Sequence, residues 1–207
     1  MKKLEDDLIA QQYQELNAEL DRIFRPVPDS VYTAHYRVDT AIESLEKVSL
    51  DYGAPLDLNP DFQRGHVWTQ SQQEEFILAM FRKVLPESAM VIQFNCRNWN
   101  TFDKETGKED LPKGFQCLDG LQRLTAMDRF LKNEISVKGI YASELAGSKY
   151  SMKRPFYQFR VNVFAYETKK EVLEHYLAFN SGGTVHPESE IQRVRSMLKS
   201  LGPNSSM

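Results

Sequence analysis

The chain has 207 residues and a formal net charge of −3. That length suits one good hydrophobic core and is small for two, and its apolar and charged fractions are those of an ordinary globular protein. No apolar run approaches the ~18 residues that span a bilayer, no leader-like apolar stretch follows Met1-Lys-Lys-Leu-Glu-Asp-Asp7, and two cysteines, Cys96 and Cys117, make no disulfide framework. A membrane protein and a disulfide-stapled secreted scaffold are excluded on these grounds, and reducing cytoplasm is the expected compartment. The charge is unevenly placed. Residues 1–61 hold 6 Lys and Arg against 13 Asp and Glu, a net of −7, whereas residues 121–160 hold 8 against 3, a net of +5. Phosphate contacts are therefore expected from the second segment and not from the first.

Leu4, Leu8, Leu16, Leu20, Ile23 and Phe24 recur at helical spacing and predict an acidic amphipathic helix over residues 1–25, stopped by Pro26 and Pro28. It either packs on the body of the protein or meets a partner. Residues 31–38 alternate as a short strand. Thr40-Ala-Ile-Glu43 fits a capping box opening a short helix with Ile42 and Leu45 inward. Gly53 and Pro55 turn the chain into a brief extended piece, 55–58. Asn59-Pro60 then opens a loop, since Pro60 biases Asn59 away from helix, and the loop carries Phe62, Gln63, Arg64, Gly65, His66 and Trp68. Gln63 and Arg64 offer several donors to a phosphate or a base edge. Phe62 and Trp68 read first as core anchors, and His66 as a loop histidine or a proton-transfer group.

Ser71-Gln-Gln-Glu74 matches a second capping box, leading into a helix with Phe76, Ile77, Met80, Phe81 and Val84 facing the core, stopped near Pro86. Residues 89–94 read as a strand. Residues 95–113 are a polar excursion, and neither flanking cysteine has partners at metal-ligand spacing, so zinc is not expected. Phe115-Gln-Cys-Leu118 is a short apolar strand broken at Asp119-Gly120. Leu124, Met127 and Leu131 follow at helical spacing. Strand, glycine turn and helix start is the arrangement that offers free backbone N–H groups to an anion. Arg123 falls in the first helical turn, where a cation opposes the helix dipole and a bound anion would account for it. The plain alternative is an ordinary strand-to-helix connection with a surface arginine.

Residues 135–140 read as a short strand or extended piece, and 147–155 as a basic loop with Lys149, Tyr150, Lys153 and Arg154. That composition suits either a solvated hairpin or a grip on nucleic acid. Residues 159–166 are the clearest strand. Thr168-Lys-Lys-Glu171 caps a helix with Val172, Leu173, Tyr176 and Leu177 inward, ending at Asn180-Ser-Gly-Gly183. Pro187 suits the first position of a last helix, which carries Ile191, Val194, Leu198 and Leu201; residues 202–207 read as a frayed tail. Short strands interrupted by single helices predict an α+β domain over residues 31–201, with one small mixed sheet surrounded by helices. The chain has no Gly-x4-Gly-Lys-Ser/Thr, Gly-x-Gly-x-x-Gly, His-Glu-x-x-His or Gly-x-Ser-x-Gly motif.

Three blocks carry a family likeness. Asp119-Gly-Leu-Gln-Arg123 resembles the Asp-Gly-Gln-Gln-Arg signature of the ParB/sulfiredoxin-like family that includes the N-terminal domain of GmrSD-type modification-dependent restriction enzymes. Asn59-Pro-Asp-Phe-Gln-Arg-Gly-His-Val-Trp68 resembles the family's upstream block, and Phe179-Asn-Ser-Gly-Gly-Thr-Val-His-Pro-Glu-Ser-Glu-Ile191 its downstream block. Leu121 departs from the family's glutamine, so only a backbone role carries over there. The resemblance implies a ParB/sulfiredoxin-like fold in which strand–turn–helix elements hold nucleotide phosphates. It implies an Mg²⁺-dependent nucleotide-hydrolysing domain that acts on or senses DNA in restriction or phage defence.

In that expectation Gly120, Leu121, Gln122 and Arg123 hold phosphates, and Arg123 and Arg64 neutralise charge. Asp119 binds Mg²⁺ or positions water, with the helix cap as its other role. Gln63 and Gln122 orient water or nucleotide, Asn180 and Ser181 complete the pocket, and Lys149, Lys153 and Arg154 face nucleic acid. Two alternatives stand beside it. One is metal-dependent DNA nicking by Arg64, His66 and Asp119. The other is a non-catalytic module that regulates or inhibits a nuclease or other partner. GmrSD-type proteins usually carry a separate His-Asn-His nuclease domain, for which these residues leave no room, so a nuclease in trans is expected. Sulfiredoxin chemistry needs a cysteine in the phosphate turn, and this turn has none.

Overall fold

Four strands form one mixed sheet in the computed structural model, which describes residues 2–100, 110–181 and 188–202. The described elements run α1 (Lys2–Phe24), β1 (Tyr32–Arg37), α2 (Ala41–Asp51), α3 (Gln70–Phe81), β2 (Val91–Asn95), β3 (Gln116–Asp119), α4 (Leu121–Leu131), β4 (Gln158–Phe164), α5 (Lys169–Ser181) and α6 (Glu188–Ser200), with 3₁₀ turns at Glu87–Met90 and Ala142–Leu145. The α+β class and the small mixed sheet expected from the sequence are both present. Strand order is β1-β4-β2-β3. β1 pairs antiparallel with β4, β4 parallel with β2, and β2 antiparallel with β3.

The period-2 alternation of the strands divides the interior in two. Phe159, Val161 and Val163 of β4, Ile92 and Phe94 of β2 and Cys117 of β3 join Leu45, Phe76, Ile77, Leu124, Met127 and Phe130 in the larger core. The neighbouring residues Phe164 and Leu118 turn to a second core with Phe62, Tyr166, Val172, Leu173, Tyr176 and Val194, beneath α5 and α6. Both cysteines are free and buried. Burial pushes the Cys96 thiol up to about 12 and the Cys117 thiol higher still, so both stay protonated.

Several local expectations need correction. Thr40 sits at the N-cap of α2 but makes no side-chain cap bond. The capping box of α3 lies two residues earlier than Ser71: the Thr69 hydroxyl accepts from the Gln72 amide, and the Gln72 side chain accepts from the Thr69 amide. The helix therefore also ends earlier. Lys83 takes a left-handed φ of 57°, and Val84 is exposed rather than buried. β2 begins at Val91, because residues 87–90 form a 3₁₀ turn. Residues 135–140 form no strand; Val137 and Ile140 bond each other across a tight turn, with Ile135 and Val137 buried as plugs. The Thr168/Glu171 box at α5 forms as expected. The polar excursion at 101–109, Thr184 and Pro187, and the tail at 203–207 lie outside the described residues.

α1 ends where Pro26 and Pro28 fall, but its apolar face is not covered by the domain. Ile9, Tyr13, Leu16, Ile23 and Phe24 are all exposed. No described helix is long and apolar enough to cross a membrane.

Among the described glycines, Gly120 leaves the least room for a side chain. Its φ is +113°, and a Cβ there would lie 2.5 Å from Ile92 Cδ1 and 2.8 Å from Cγ2. Gly120→Ala is expected to cost about 2–4 kcal/mol, the sum of a left-handed backbone penalty and overpacking. Urea denaturation measures it. Trimming the neighbour with Ile92→Ala in the same chain should recover only the packing part, since the φ penalty remains.

Candidate functional site

A cleft of about 700 Å³ opens where β3 passes through Gly120 into α4. Four pieces of chain enclose it. The turn itself contributes Asp119 through Arg123, the 63–68 loop contributes Gln63, Arg64 and Trp68, the 86–89 turn lies opposite, and Ala178 to Asn180 at the end of α5 close one side. Gln63, Arg64, Asp119, Gly120, Leu121, Gln122, Arg123 and Asn180, singled out from the sequence, thus share one cleft although they span 118 residues of chain. The Ser181 side chain lies outside the described residues.

Hydrogen bonding separates the residues that build the cleft from those left with free groups. Gln122 is fully engaged: its Oε1 accepts from the amides of Val67 and Trp68, at 2.9 and 3.0 Å, and its Nε2 donates to the Gly65 carbonyl at 2.8 Å. One amide side chain therefore supplies the partners that a loop without a sheet would lack. Gln63 reaches the other way. Its Nε2 donates to the carbonyls of Cys117 and Leu118, at 3.1 and 2.8 Å, and its Oε1 makes no hydrogen bond among the described residues. Both glutamines thus hold backbone, a role that their sequence positions did not suggest.

Asp119 does not cap α4. Gly120 is the N-cap residue, and no side chain caps the helix. The Asp119 carboxylate instead takes a 2.5 Å ion pair from Arg123 Nη2, and Arg123 Nη1 donates to the Ser88 and Ala89 carbonyls, both at 3.2 Å. Arg123 is held on two sides, with its side chain 13% exposed against 38% for Asp119. Arg64 is the opposite case. It lines the cleft and makes no hydrogen bond or ion pair among the described residues. Leu121 is a core residue, 6% exposed. Asn180 donates from Nδ2 to the Tyr176 carbonyl at 2.7 Å.

His66 does not join these residues. Its Nε2 accepts from Gln73 Nε2 at 2.9 Å, and Gln73 Oε1 accepts from Arg129. Partial burial, then the Arg129 charge, lowers the His66 pKa, so the ring is a neutral acceptor in a structural relay. Lys149 and Arg154 lie elsewhere, in a separate groove, with Lys153 exposed in the adjoining turn.

Two supporting residues escaped the sequence reading. Arg193 of α6 donates to the carbonyls of Asp61, Phe62 and Gln63 and pairs with Glu190 at 2.7 Å. It ties the loop carrying Arg64 to the second core. An arginine on the polar face of a helix has no local mark of such a role. His175 is buried behind the cleft, with Nδ1 2.9 Å from the Tyr166 hydroxyl and Nε2 2.9 Å from Gln93 Oε1. The geometry fits a neutral ring that donates from Nε2 and accepts at Nδ1. Its ring stacks at 5.1 Å on Phe179, which lines the cleft.

Residues 44–200 match the sequence model of the family described as GmrSD restriction endonuclease, N-terminal domain. The match covers well over half of the chain, and the chain belongs to that family. No curated protein and no solved structure matches it.

Burial pushes the His175 imidazole down to about 4, against a partial opposing pull from the Asp119 charge. Its folded pKa is below the unfolded value of 6.5, so the unfolded chain takes up this proton first as pH falls. The stability linked to the neutral ring is whole above about pH 6.5 and drains away toward pH 4. Urea titrations at pH 7, 5.5 and 4 should show wild type losing roughly 3 kcal/mol more than His175→Gln across that window. Parallel losses in the two proteins would mean that the imidazole is not held as a buried neutral base.

Proposed function

We propose that the cleft binds a nucleoside triphosphate together with Mg²⁺ and hydrolyses it, as the nucleotide-dependent part of a DNA-restriction or phage-defence system. Membership of the GmrSD N-terminal family supports the restriction context. The resemblance of the Asp119–Arg123 turn to the ParB/sulfiredoxin-like signature supports a phosphate site there. The observation that carries the reading is the state of Arg64. A guanidinium that makes no hydrogen bond or ion pair among the described residues lines the same cleft of about 700 Å³ as the uncapped start of α4. Helix N-terminal amides and an unsatisfied cation together are a phosphate-binding combination.

In this reading the parts differ in kind. Arg123 is a pre-set cation, already held by Asp119 and two carbonyls, and such a group stabilises developing charge without reorganising. Arg64 is the cation that closes on phosphate. Gln63 Oε1 is the acceptor left to orient an attacking water, and Gln122 shapes the cleft by holding residues 65–68. Asn180 Oδ1 is available to the nucleotide at the α5 side. Among the described residues no group of three or more His, Cys, Asp or Glu forms a metal site. Asp119, the one carboxylate that lines the cleft among the described residues, suits Mg²⁺ that arrives coordinated by substrate phosphates and keeps several waters. When bound, that ion would neutralise phosphate charge. DNA nicking draws no support from the geometry, because it asks His66 to stand beside Asp119.

Thermal shift with Mg²⁺ and ATP, GTP or CTP tests the proposal. A ligand that binds only the folded state raises stability by about 2.7 kcal/mol at a hundredfold excess over Kd. Arg64→Ala is the clean variant: it should abolish the shift while leaving the ligand-free melting temperature unchanged. Arg123→Ala should abolish the shift and also lower the ligand-free stability by about 1–3 kcal/mol, since it strands Asp119 and two carbonyls. No shift with any nucleotide would overturn the reading.

The exposed apolar residues of α1 favour a protein partner as well. Removal of residues 1–25 should then leave the nucleotide shift intact and abolish co-purification with a nuclease partner.

A further inference from the structure

A second groove, of about 430 Å³, lies apart from the nucleotide cleft and takes no part in its chemistry. Its cations are Lys83, just past the end of α3, with Lys149 and Arg154 from the basic loop. Its rings are Phe81, Tyr150, Phe156 and Tyr157. No carboxylate lines it among the described residues. The residues come from two segments about 70 positions apart in the chain, so the sequence shows only half of the groove.

The groove is built rather than incidental. Phe81 meets Phe130, Tyr150 and Tyr157 edge-on, with centroids 5.9, 5.8 and 5.8 Å apart, so its floor rests on the larger core. The loop above it is not a loose hairpin. Ser151 and Met152 are buried, the Tyr150 amide donates to Ser148 Oγ, and Arg154 Nε donates to the Ser148 carbonyl. Lys83 stands 5.4 Å over the Phe156 ring and Lys149 5.1 Å over the Tyr150 ring. Phe156 is nonetheless 56% exposed and Tyr150 40%.

Large rings left open to water, with cations at their faces and no carboxylates, suit a flat, anionic ligand. We infer that this groove binds single-stranded nucleic acid, with an unpaired base stacked on Phe156, the more exposed of the two rings, and phosphates held by Lys83, Lys149 and Arg154. Stacking platforms flanked by basic side chains are the general means of gripping a single strand. A duplex keeps its base faces covered and would use only the cations. An acidic peptide would leave the rings unsatisfied. This inference does not rest on nucleotide hydrolysis, and it adds a strand-binding site to a chain whose other cleft is proposed to hold a mononucleotide.

Fluorescence anisotropy of the full chain tests it, with four end-labelled probes of equal length: oligo(dT), oligo(U), an abasic strand of the same charge, and a duplex. Oligo(dT), oligo(U) or both should bind about tenfold or more tighter than the abasic strand and the duplex. Phe156→Ala should weaken that binding about tenfold, to the abasic level, with an unchanged melting temperature and an unchanged response to Mg²⁺-nucleotide. Lys149→Ala should weaken all strands and reduce the slope of log affinity against log salt by about 0.7. Equal affinity for the abasic strand, a preference for duplex, no binding of any probe, or wild-type affinity in Phe156→Ala would each overturn the inference. Failure of nucleotide to shift the wild type would leave these measurements standing, so the two proposals fail separately.

Discussion

The contact between Gly120 and Ile92 sets the course of the turn that carries Asp119 to Arg123 into the cleft. Without a Cβ, the chain can leave β3 with a φ of +113° against the Ile92 side chain. That brings the last strand residue and the first turn of α4 to one end of the sheet. Asp119 and Arg123 then stand four residues apart and pair. Gln122 points to the loop at 65–68, and Leu121 falls into the larger core. A bulkier residue at 120 would displace all four at once, because they share one rigid turn.

The 59–68 loop is organised by a different device. It has no ladder to satisfy its backbone, and side chains from the helices do so instead. Gln122 holds Gly65, Val67 and Trp68, and Arg193 holds Asp61, Phe62 and Gln63. Gln63 itself bonds β3. Buried polar groups must find partners, and here meeting that demand also fixes where Arg64 stands. The cleft consequently contains two arginines in different electrostatic states. Arg123 is neutralised and rigid, whereas Arg64 is uncompensated among the described residues. In the proposed function the first supplies pre-organisation and the second supplies attraction.

The family match begins at residue 44, inside α2. β1 lies before it, yet bonds β4 along its whole length and forms one edge of the sheet. The structural unit therefore extends beyond the matched span at its N-terminal side. α1 lies further out, and Ile9, Tyr13, Leu16, Ile23 and Phe24 on it are exposed.

The sequence by itself determined the α+β class, most of the strands and helices, and the grouping of candidate residues into three blocks. Those features rest on local physics: hydrophobic periodicity of 2 or 3.6, glycine where φ must be positive, and proline where a helix must stop. Its errors were local as well. Competing caps two residues apart, Thr69 against Ser71, cannot be ranked without knowing which residues face the core. Tertiary structure alone decided that the three blocks meet in one cleft, that His66 turns away from it, and that both glutamines bond backbone. It also decided that Lys83, Tyr150, Phe156 and Arg154 share a groove. Each of these is a contact between segments distant in sequence, set by how the strands order themselves in the sheet. No local pattern encodes that order, because it follows from which apolar faces bury one another best.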